Sequence, residues 1–430
     1  MKLNRKTFLK NAAASAVGLV ASAKLMAQSA PAASSTLALP AYDAGAPEAF
    51  WREVRNLYLL TPALTYFNTG GLGPTPGPVL SLMTKTMSQL QERSDHGHGR
   101  FAGARQVTAR FLGVEPAEVA FVRNATEGNA IVAAGLSLAP GDEVIFETHA
   151  HPGGSFPWLN QVTLRGIKVK LFEPDPHDAA SNVERIRSLM TKRTRVVQVS
   201  HVTAPTGILL PVVEIARLCR ERGVWFHIDG AQSAGMFPFS LREIGCDSFA
   251  TSGHKWLGAP HETGVLVVRK ERITDVAPTL VGAYSGDVDG LPGELKLHAN
   301  AERFEYGTRN VASVVAMAEA MRLQEEIGRD RIAARGRALA AQVHAGLSRI
   351  RGVELLTSAS PELASSMVTF RAAAVPFEPM FSRLLRDHAL RCRPVSEQKL
   401  NAVRVSLHVF NSPAECDELV AAVEKIVRSA

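Results

Sequence analysis

An α/β fold built on a mostly parallel sheet is predicted by two features of this 430-residue chain. Between residues 119 and 268, short apolar runs alternate with helical patterns, the signature of strand–helix–strand units. Small and polar residues gather just after the apolar runs, as in Arg123-Asn124-Ala125-Thr126-Glu127 and Asp229-Gly230-Ala231-Gln232. In open α/β sheets a ligand sits at that carboxyl edge.

Taken in order, residues 47–60 read as a short helix and 64–68 as a brief strand ending in Asn68. Thr69-Gly70-Gly71-Leu72-Gly73-Pro74 is a turn that lets backbone approach a ligand. Helices are expected over 79–92 and 103–112, a strand over 119–122, and a helix over 129–136. The small-residue turn between those last two is a candidate anion site, because free amides and the helix dipole converge there. Thr126 could equally serve as a plain N-cap, and no G-K-S or G-K-T marks a P-loop.

A strand over 143–146 runs into Glu147-Thr148-His149-Ala150-His151-Pro152-Gly153-Gly154, which Pro and Gly mark as a loop. The two histidines lack a third ligand of matching spacing, so a ring that stacks on an aromatic cofactor suits His151 better than a metal does. Further strands are expected over 167–172, 195–200, 224–228, 247–251 and 264–268, with helices over 180–190 and 212–222. Beyond Phe304-Glu305-Tyr306-Gly307-Thr308-Arg309-Asn310, a helical stretch over 311–347 breaks near Gly328. Strands over 367–370 and 403–407 and helices over 377–387 and 413–427 then form a smaller α+β domain. The expected division is 65–303 for the large domain and 304–430 for the small one, after a linker and N-terminal segment over 33–64.

Residues 1–32 read as an export signal. Lys2, Arg5, Lys6 and Lys10 precede an alanine-rich run too short to span a bilayer, so no stable membrane association is expected. Asn4-Arg5-Lys6-Thr7-Phe8-Leu9 is similar to the twin-arginine motif with Lys6 in the second arginine position, which points to a periplasmic protein; a non-functional signal would leave it cytoplasmic. The formal charge of +7 is spread among interleaved acids, which argues against nucleic-acid binding. Cys219, Cys246, Cys392 and Cys416 show neither CxxC nor a close-spaced framework.

The chemistry centres on Thr251-Ser252-Gly253-His254-Lys255-Trp256. A lysine closing an apolar strand can be desolvated into a nucleophile toward aldehydes. Asp229, 26 residues earlier, ends the preceding strand and can hold a proton on a pyridine nitrogen. A phosphate at Thr126, a flat ring against His151, a ring oxygen near Gln232 and an aldehyde on Lys255 together describe pyridoxal 5′-phosphate. Arg404, embedded in an apolar strand, needs an anion and is the candidate for a substrate carboxylate.

With these motifs the chain resembles the class V aminotransferases of fold-type I over roughly residues 66–427, a family that includes cysteine desulfurases and isopenicillin N epimerase-like proteins. The resemblance implies a seven-stranded, mostly parallel sheet in the large domain and a homodimer with its site at the subunit interface. It implies Lys255 as the cofactor-binding lysine, Asp229 on the ring nitrogen, Gln232 on the ring oxygen and His151 stacked on the ring with a role in proton transfer. Thr126, Glu127, Ser252 and His254 would surround the phosphate with Thr308 of a second subunit, and Arg404, Asn68 and Arg309 would meet the substrate.

Desulfurases carry a mobile-loop cysteine shortly before the arginine matching Arg404; here that segment is Arg391-Cys392-Arg393-Pro394-Val395-Ser396-Glu397, where Cys392 adjoins a strand. Epimerisation or transamination of an amino acid is therefore expected ahead of desulfuration or C–S elimination. A pyridoxal phosphate carrier without turnover is disfavoured by intact Lys255 and Asp229. An NAD oxidoreductase is disfavoured because no G-x-G-x-x-G follows a strand.

Overall fold

The computed structural model describes residues 39–287 and 293–430, so the expected export segment lies outside the described residues. Helix α1 (Pro47–Asn56) and the short strand β1 (Thr65–Tyr66) lead into α2 (Gly77–Arg93) and α3 (Phe101–Leu112). Strands and helices then alternate: β2 (Val119–Val122), α4 (Ala125–Gly135), β3 (Glu143–Glu147), α5 (Pro152–Arg165), β4 (Lys168–Phe172), α6 (Ala179–Leu189) and β5 (Thr194–Ser200). The series continues through α7 (Val212–Arg222), β6 (Trp225–Asp229), α8 (Leu241–Ile244), β7 (Ser248–Ser252) and β8 (Gly264–Val268). These strands form one seven-stranded sheet in the order β2-β8-β7-β6-β5-β3-β4. All pair in parallel except β8, which runs antiparallel to both β2 and β7.

Alternation along each strand splits the core into two layers. Phe121, Ile145, Val197, Phe226 and Phe249 face one apolar cluster, while Ala120, Val144, Val196, Trp225 and Leu266 face the other. Helices cover both faces, which is why these strands read as continuous apolar runs. All six of the strands other than β8 point one way, so Val122, Glu147, Ser200, Asp229 and Ser252 end at the same edge; Ser200 pairs across with Asp229 and Asp229 with Ala250.

Helix α9 (Val311–Ile327) packs in the same cluster as α3 and α7, through Val314, Met317 and Met321. The large unit's core therefore extends past the expected boundary at 303/304. Gly328, at φ 95°, ends α9 and begins α10 (Arg329–Leu347), the break read from the sequence. A second core then forms around the antiparallel sheet β12-β13-β10-β9, made of β9 (Val353–Leu355), β10 (Met367–Ala372), β12 (Arg393–Val395) and β13 (Ala402–Ser406). It is backed by α10, α11 (Phe377–His388) and α12 (Pro413–Arg428), while β11 (Leu390–Arg391) pairs with β1.

Two differences from the sequence reading concern local punctuation. Helix α4 starts at Ala125, four residues early, because Asn124 is its N-cap and accepts from Glu127 N–H at 3.0 Å. The segment after His151 is a helix, α5, with Pro152 in its first turn and His151 as N-cap. Pro157 inside α5 has no N–H for the Gly153 carbonyl, and Asn129 Nδ2 donates to that oxygen instead at 3.1 Å.

The sheet's edge at β2 is sealed by side chains. Glu305 Oε1 accepts from Phe121 N–H at 2.7 Å, and Arg105 donates to the Val119 carbonyl. Arg105 also binds both oxygens of Glu305, at 2.9 and 3.2 Å, with both side chains buried. An edge strand's free groups are thereby withheld from another chain. Glu305→Ala leaves the Arg105 cation buried with half its partners gone, and the expected cost is about 3–5 kcal/mol. A guanidinium unfolding curve for this variant checks it; an unchanged midpoint contradicts the assignment.

Candidate active site

The five strand ends deliver their loops to one hollow. Asp229 closes β6, where its Oδ1 accepts from Ala231 N–H at 3.0 Å and its Oδ2 from Asn129 Nδ2 at 3.0 Å. Gly154, at the start of α5, lies so close that a Cβ there would stand 2.9 Å from Asp229 Oδ2. Behind Asp229 runs a fully buried chain of polar groups whose partners assign every proton. Asn129 Nδ2 faces two acceptors, Asp229 and the Gly153 carbonyl, so its Oδ1 is the acceptor for His227 Nε2–H at 2.8 Å. His227 Nδ1 then accepts from Ser248 Oγ–H at 2.8 Å, and Ser248 Oγ accepts from Trp225 Nε1–H at 2.9 Å. Burial holds the His227 pKa down to about 4, so the ring is neutral as this pattern requires.

Lys255 follows β7 in the hollow. Burial lowers its amine from the ordinary 10.5 to about 8; Asp229 works against that lowering, while Arg404 and Arg393 add to it. The Gly70–Gly73 turn lies directly on this stretch: Gly73 N–H donates to the His254 carbonyl at 2.8 Å. A Cβ at Gly73 would fall 1.8 Å from the Lys255 carbonyl oxygen, so only glycine fits. Gln232 bridges the same elements, giving Nε2–H to the Gly70 carbonyl at 2.8 Å and accepting from Trp256 Nε1–H at 2.8 Å.

At the α4 N-terminus, Ser252 Oγ accepts from Ala125 N–H at 2.9 Å, and Thr126 lies against Gly153. A cavity of about 490 Å3 opens beside them, lined by Arg123, Thr126, Leu280 and Tyr306 among others. Glu127, expected at the cofactor, lies in the same turn. Its carboxylate accepts from Arg123 N–H and pairs with the Arg123 guanidinium, while its own N–H is held by Asn124, so it closes the turn. His254 is half-buried, and burial and the charge of Lys255 hold its pKa down to about 4. His151 Nδ1 accepts from Gly153 N–H at 3.0 Å, placing the neutral ring's proton on Nε2. Its pKa is lowered by burial and then by Lys255.

Arg404, on β13, is 1% exposed and has no carboxylate partner among the described residues. It donates to the Ala204 carbonyl and to Asn68 Oδ1, the latter at 3.4 Å, while its Nε is buried without a partner. Burial and the charge of Arg393 lower it to about 9. Thr69 Oγ1 and Ser406 Oγ are likewise buried and unpaired. Thr308 and Arg309 lie in the loop before α9, where Arg309 N–H faces His98; none of the described contacts joins them to Lys255.

The model of the family described as "Aminotransferase class-V" matches residues 79–419. The chain belongs to the class-V aminotransferase family. Isopenicillin N epimerase of Streptomyces clavuligerus is 30% identical over 390 residues, covering 87% of this chain and 98% of the relative. A probable cysteine desulfurase of Pyrococcus abyssi is 28% identical, covering 88% and 98%. Among solved structures, the apo cysteine desulfurase of Thermococcus onnurineus NA1 superposes with a TM-score of 0.79 at 27% identity, covering 88% of this chain and 98% of that one.

This class-V enzyme takes pyridoxal 5′-phosphate, and the residues present fit it. A desolvated amine, a carboxylate held by neutral donors, a helix N-terminus and glycine-lined walls are what an aldehyde, a ring nitrogen, a phosphate and a flat ring require. Sequence reasoning located Lys255, Asp229, Gln232, Ser252, Thr126, His151, Asn68 and Arg404 in one place. It missed Asn129, His227 and Arg393, because helix phase and strand register, not motif spacing, bring them in.

Two outcomes are expected. The amine must be unprotonated to capture the aldehyde, so the rate of cofactor uptake by the apoprotein rises with pH through a midpoint near 8. Arg404→Met removes a cation that lowers this amine, so the midpoint moves up; stopped-flow absorbance across pH 6–10 checks both. Asn129→Ala leaves a buried carboxyl oxygen without its donor, about 1–3 kcal/mol, or roughly 5–150-fold in affinity for the cofactor. An analogue with carbon in place of the ring nitrogen should bind wild type and variant alike.

Proposed function

We propose that this enzyme removes and returns the α-proton of an amino acid, in the manner of its isopenicillin N epimerase relatives. The observation that carries the reading is the likeness to isopenicillin N epimerase over 87% of the chain, with a buried Arg404 whose Nε lacks a partner and Lys255, whose amine burial lowers to about 8. A base that changes charge near neutral pH is suited to carry a proton in both directions. Bound pyridoxal phosphate supplies the electron sink that makes the α-proton removable. Arg404 fixes the substrate carboxylate, with Asn68 Oδ1 and the Ala204 carbonyl holding the guanidinium in place.

Return of a proton to the opposite face needs a second carrier, and His151 is the group we assign. Protonating it at Nδ1 requires release of the Gly153 N–H, since two donors cannot face one another at 3.0 Å. The lowered pKa of His151 follows the same direction, and a proton taken up there is readily given away.

Persulfide transfer has less support. All four cysteines are buried; Cys392, between β11 and β12, is 1% exposed and burial pushes its thiol up to about 12. A thiol in that state is a poor nucleophile. A homodimer, with exposed Thr308 meeting the phosphate of a second subunit and Arg309 beside it, belongs to the same proposal, as does twin-arginine export resting on Arg5 and Lys6.

Incubating the holoenzyme with L- and D-amino acids in deuterated water tests the chemistry. Deuterium at Cα with inversion is expected from wild type. His151→Phe should still wash deuterium into Cα through Lys255 while the configuration is kept. Keto acid that depends on an amino acceptor moves the reaction to transamination, and absence of exchange with every amino acid overturns the reading.

A further inference from the structure

The segment that replaces the desulfurase cysteine loop carries a second cation into the site. Strand β12 pairs antiparallel with β13 so that Arg393 stands directly opposite Arg404, on the same face of the sheet. Like charges in that position repel, and a fold keeps them only where something compensates. The described compensation is a single carboxylate, Glu397, which binds Arg393 Nη2. Arg393 Nη1 is buried with no partner, and so is Arg404 Nε. Two guanidinium groups therefore share one protein carboxylate, with a donor free on each.

The two arginines reach different parts of the site. Arg404 is held at the Asn68 and Ala204 side. Arg393 and Glu397 both act on the charge of His151, the ring-stacking residue. Both arginines act on Lys255. A substrate whose α-carboxylate rests on Arg404 therefore has Arg393 beside it on the same face of the sheet. The loop after Glu397 departs three times into the left-handed region, at Gln398 (φ 53°), Lys399 (58°) and Asn401 (51°). These are conformations that non-glycine residues adopt at a cost, and they fix where Glu397 stands.

We infer that Arg393 is a specificity residue, binding through its free Nη1 edge a carboxylate at the end of the substrate's side chain, so that the enzyme prefers acidic amino acids. A guanidinium has two edges, so one carboxylate docks on Nη1 while Glu397 keeps Nη2. Glu397 positions Arg393, and its charge sets a limit on how tightly a second carboxylate binds beside it. This inference rests on the α-carbon chemistry proposed above, with Lys255 and Arg404 in the roles given there.

Holoenzyme is titrated with L-glutamate and L-aspartate against their neutral isosteres L-glutamine and L-asparagine. Half-saturation is read from the spectrum of the bound cofactor, and kcat/KM from deuterium entering Cα. Wild type should favour at least one acid over its amide by about 100-fold, the scale of a desolvated charge pair. In Arg393→Gln the acid should fall to the level of the amide. In Glu397→Gln, which keeps an acceptor for Arg393 but removes the negative charge, the acid should gain several-fold while the amide does not. A merely structural ion pair predicts the opposite: both variants lose acid and amide together. That result, or wild-type acids and amides used equally well, overturns the inference and leaves the α-carbon chemistry standing. No spectral change with any of the four likewise overturns the inference, while the α-carbon chemistry is judged on the full panel of L- and D-amino acids.

Discussion

Everything at the carboxyl edge of the large sheet depends on holding one carboxyl group in place where there is little water. Asp229 is 6% exposed, and the groups bonded to it are a neutral amide and a backbone N–H. A buried polar group left without partners costs a few kcal/mol, so the donors must be rigid and correctly oriented. The chain from Trp225 through Ser248, His227 and Asn129 supplies that orientation, because each member has one way of satisfying its neighbours. The same Asn129 also covers the carbonyl that Pro157 leaves free, so fixing Asp229 and starting α5 are one structural act.

That carboxylate also sets the poise of the amine it faces. Desolvation alone would drive Lys255 further toward the neutral form, and two nearby guanidinium groups push the same way. Asp229 opposes them, and the balance falls near pH 8, where the amine is a competent nucleophile that can still accept a proton. The arginines come from the small unit and the aspartate from the large one, so the poise of Lys255 measures how the two are assembled.

Much of this was legible in the sequence, for a physical reason. Strands buried on both faces are apolar throughout, and residues at their ends are polar because they face a ligand; Asp229, Ser252, Lys255 and Thr126 all announce themselves that way. Phase-dependent features did not. Asn129 looks like any polar residue in a helix, and only the start of α4 at Ala125 turns it toward Asp229. Pro152 with Gly153 and Gly154 signalled a loop, whereas proline suits a helix's first turn and the glycines are needed for close approach to Thr126 and Asp229. Glu305 gave no sign of its bond to the edge strand, since sealing an edge is a tertiary task.

The small unit is keyed to the large one through Arg404, the residue proposed to hold the substrate carboxylate. Arg404 lies on β13 but donates to the Ala204 carbonyl, and Ser406 N–H on the same strand donates to the Phe67 carbonyl at 2.7 Å. Asn411 Nδ2–H reaches the Tyr66 carbonyl at 3.0 Å from the next loop. The strand carrying the anion-binding groups is thus held against the Asn68–Gly73 turn, which in turn lies on Lys255. Arg404 is one of the charges that lower the Lys255 amine, so on the proposed assignment a carboxylate arriving there makes that amine a stronger base. On that assignment substrate recognition and base strength are coupled through one guanidinium, with no moving part required.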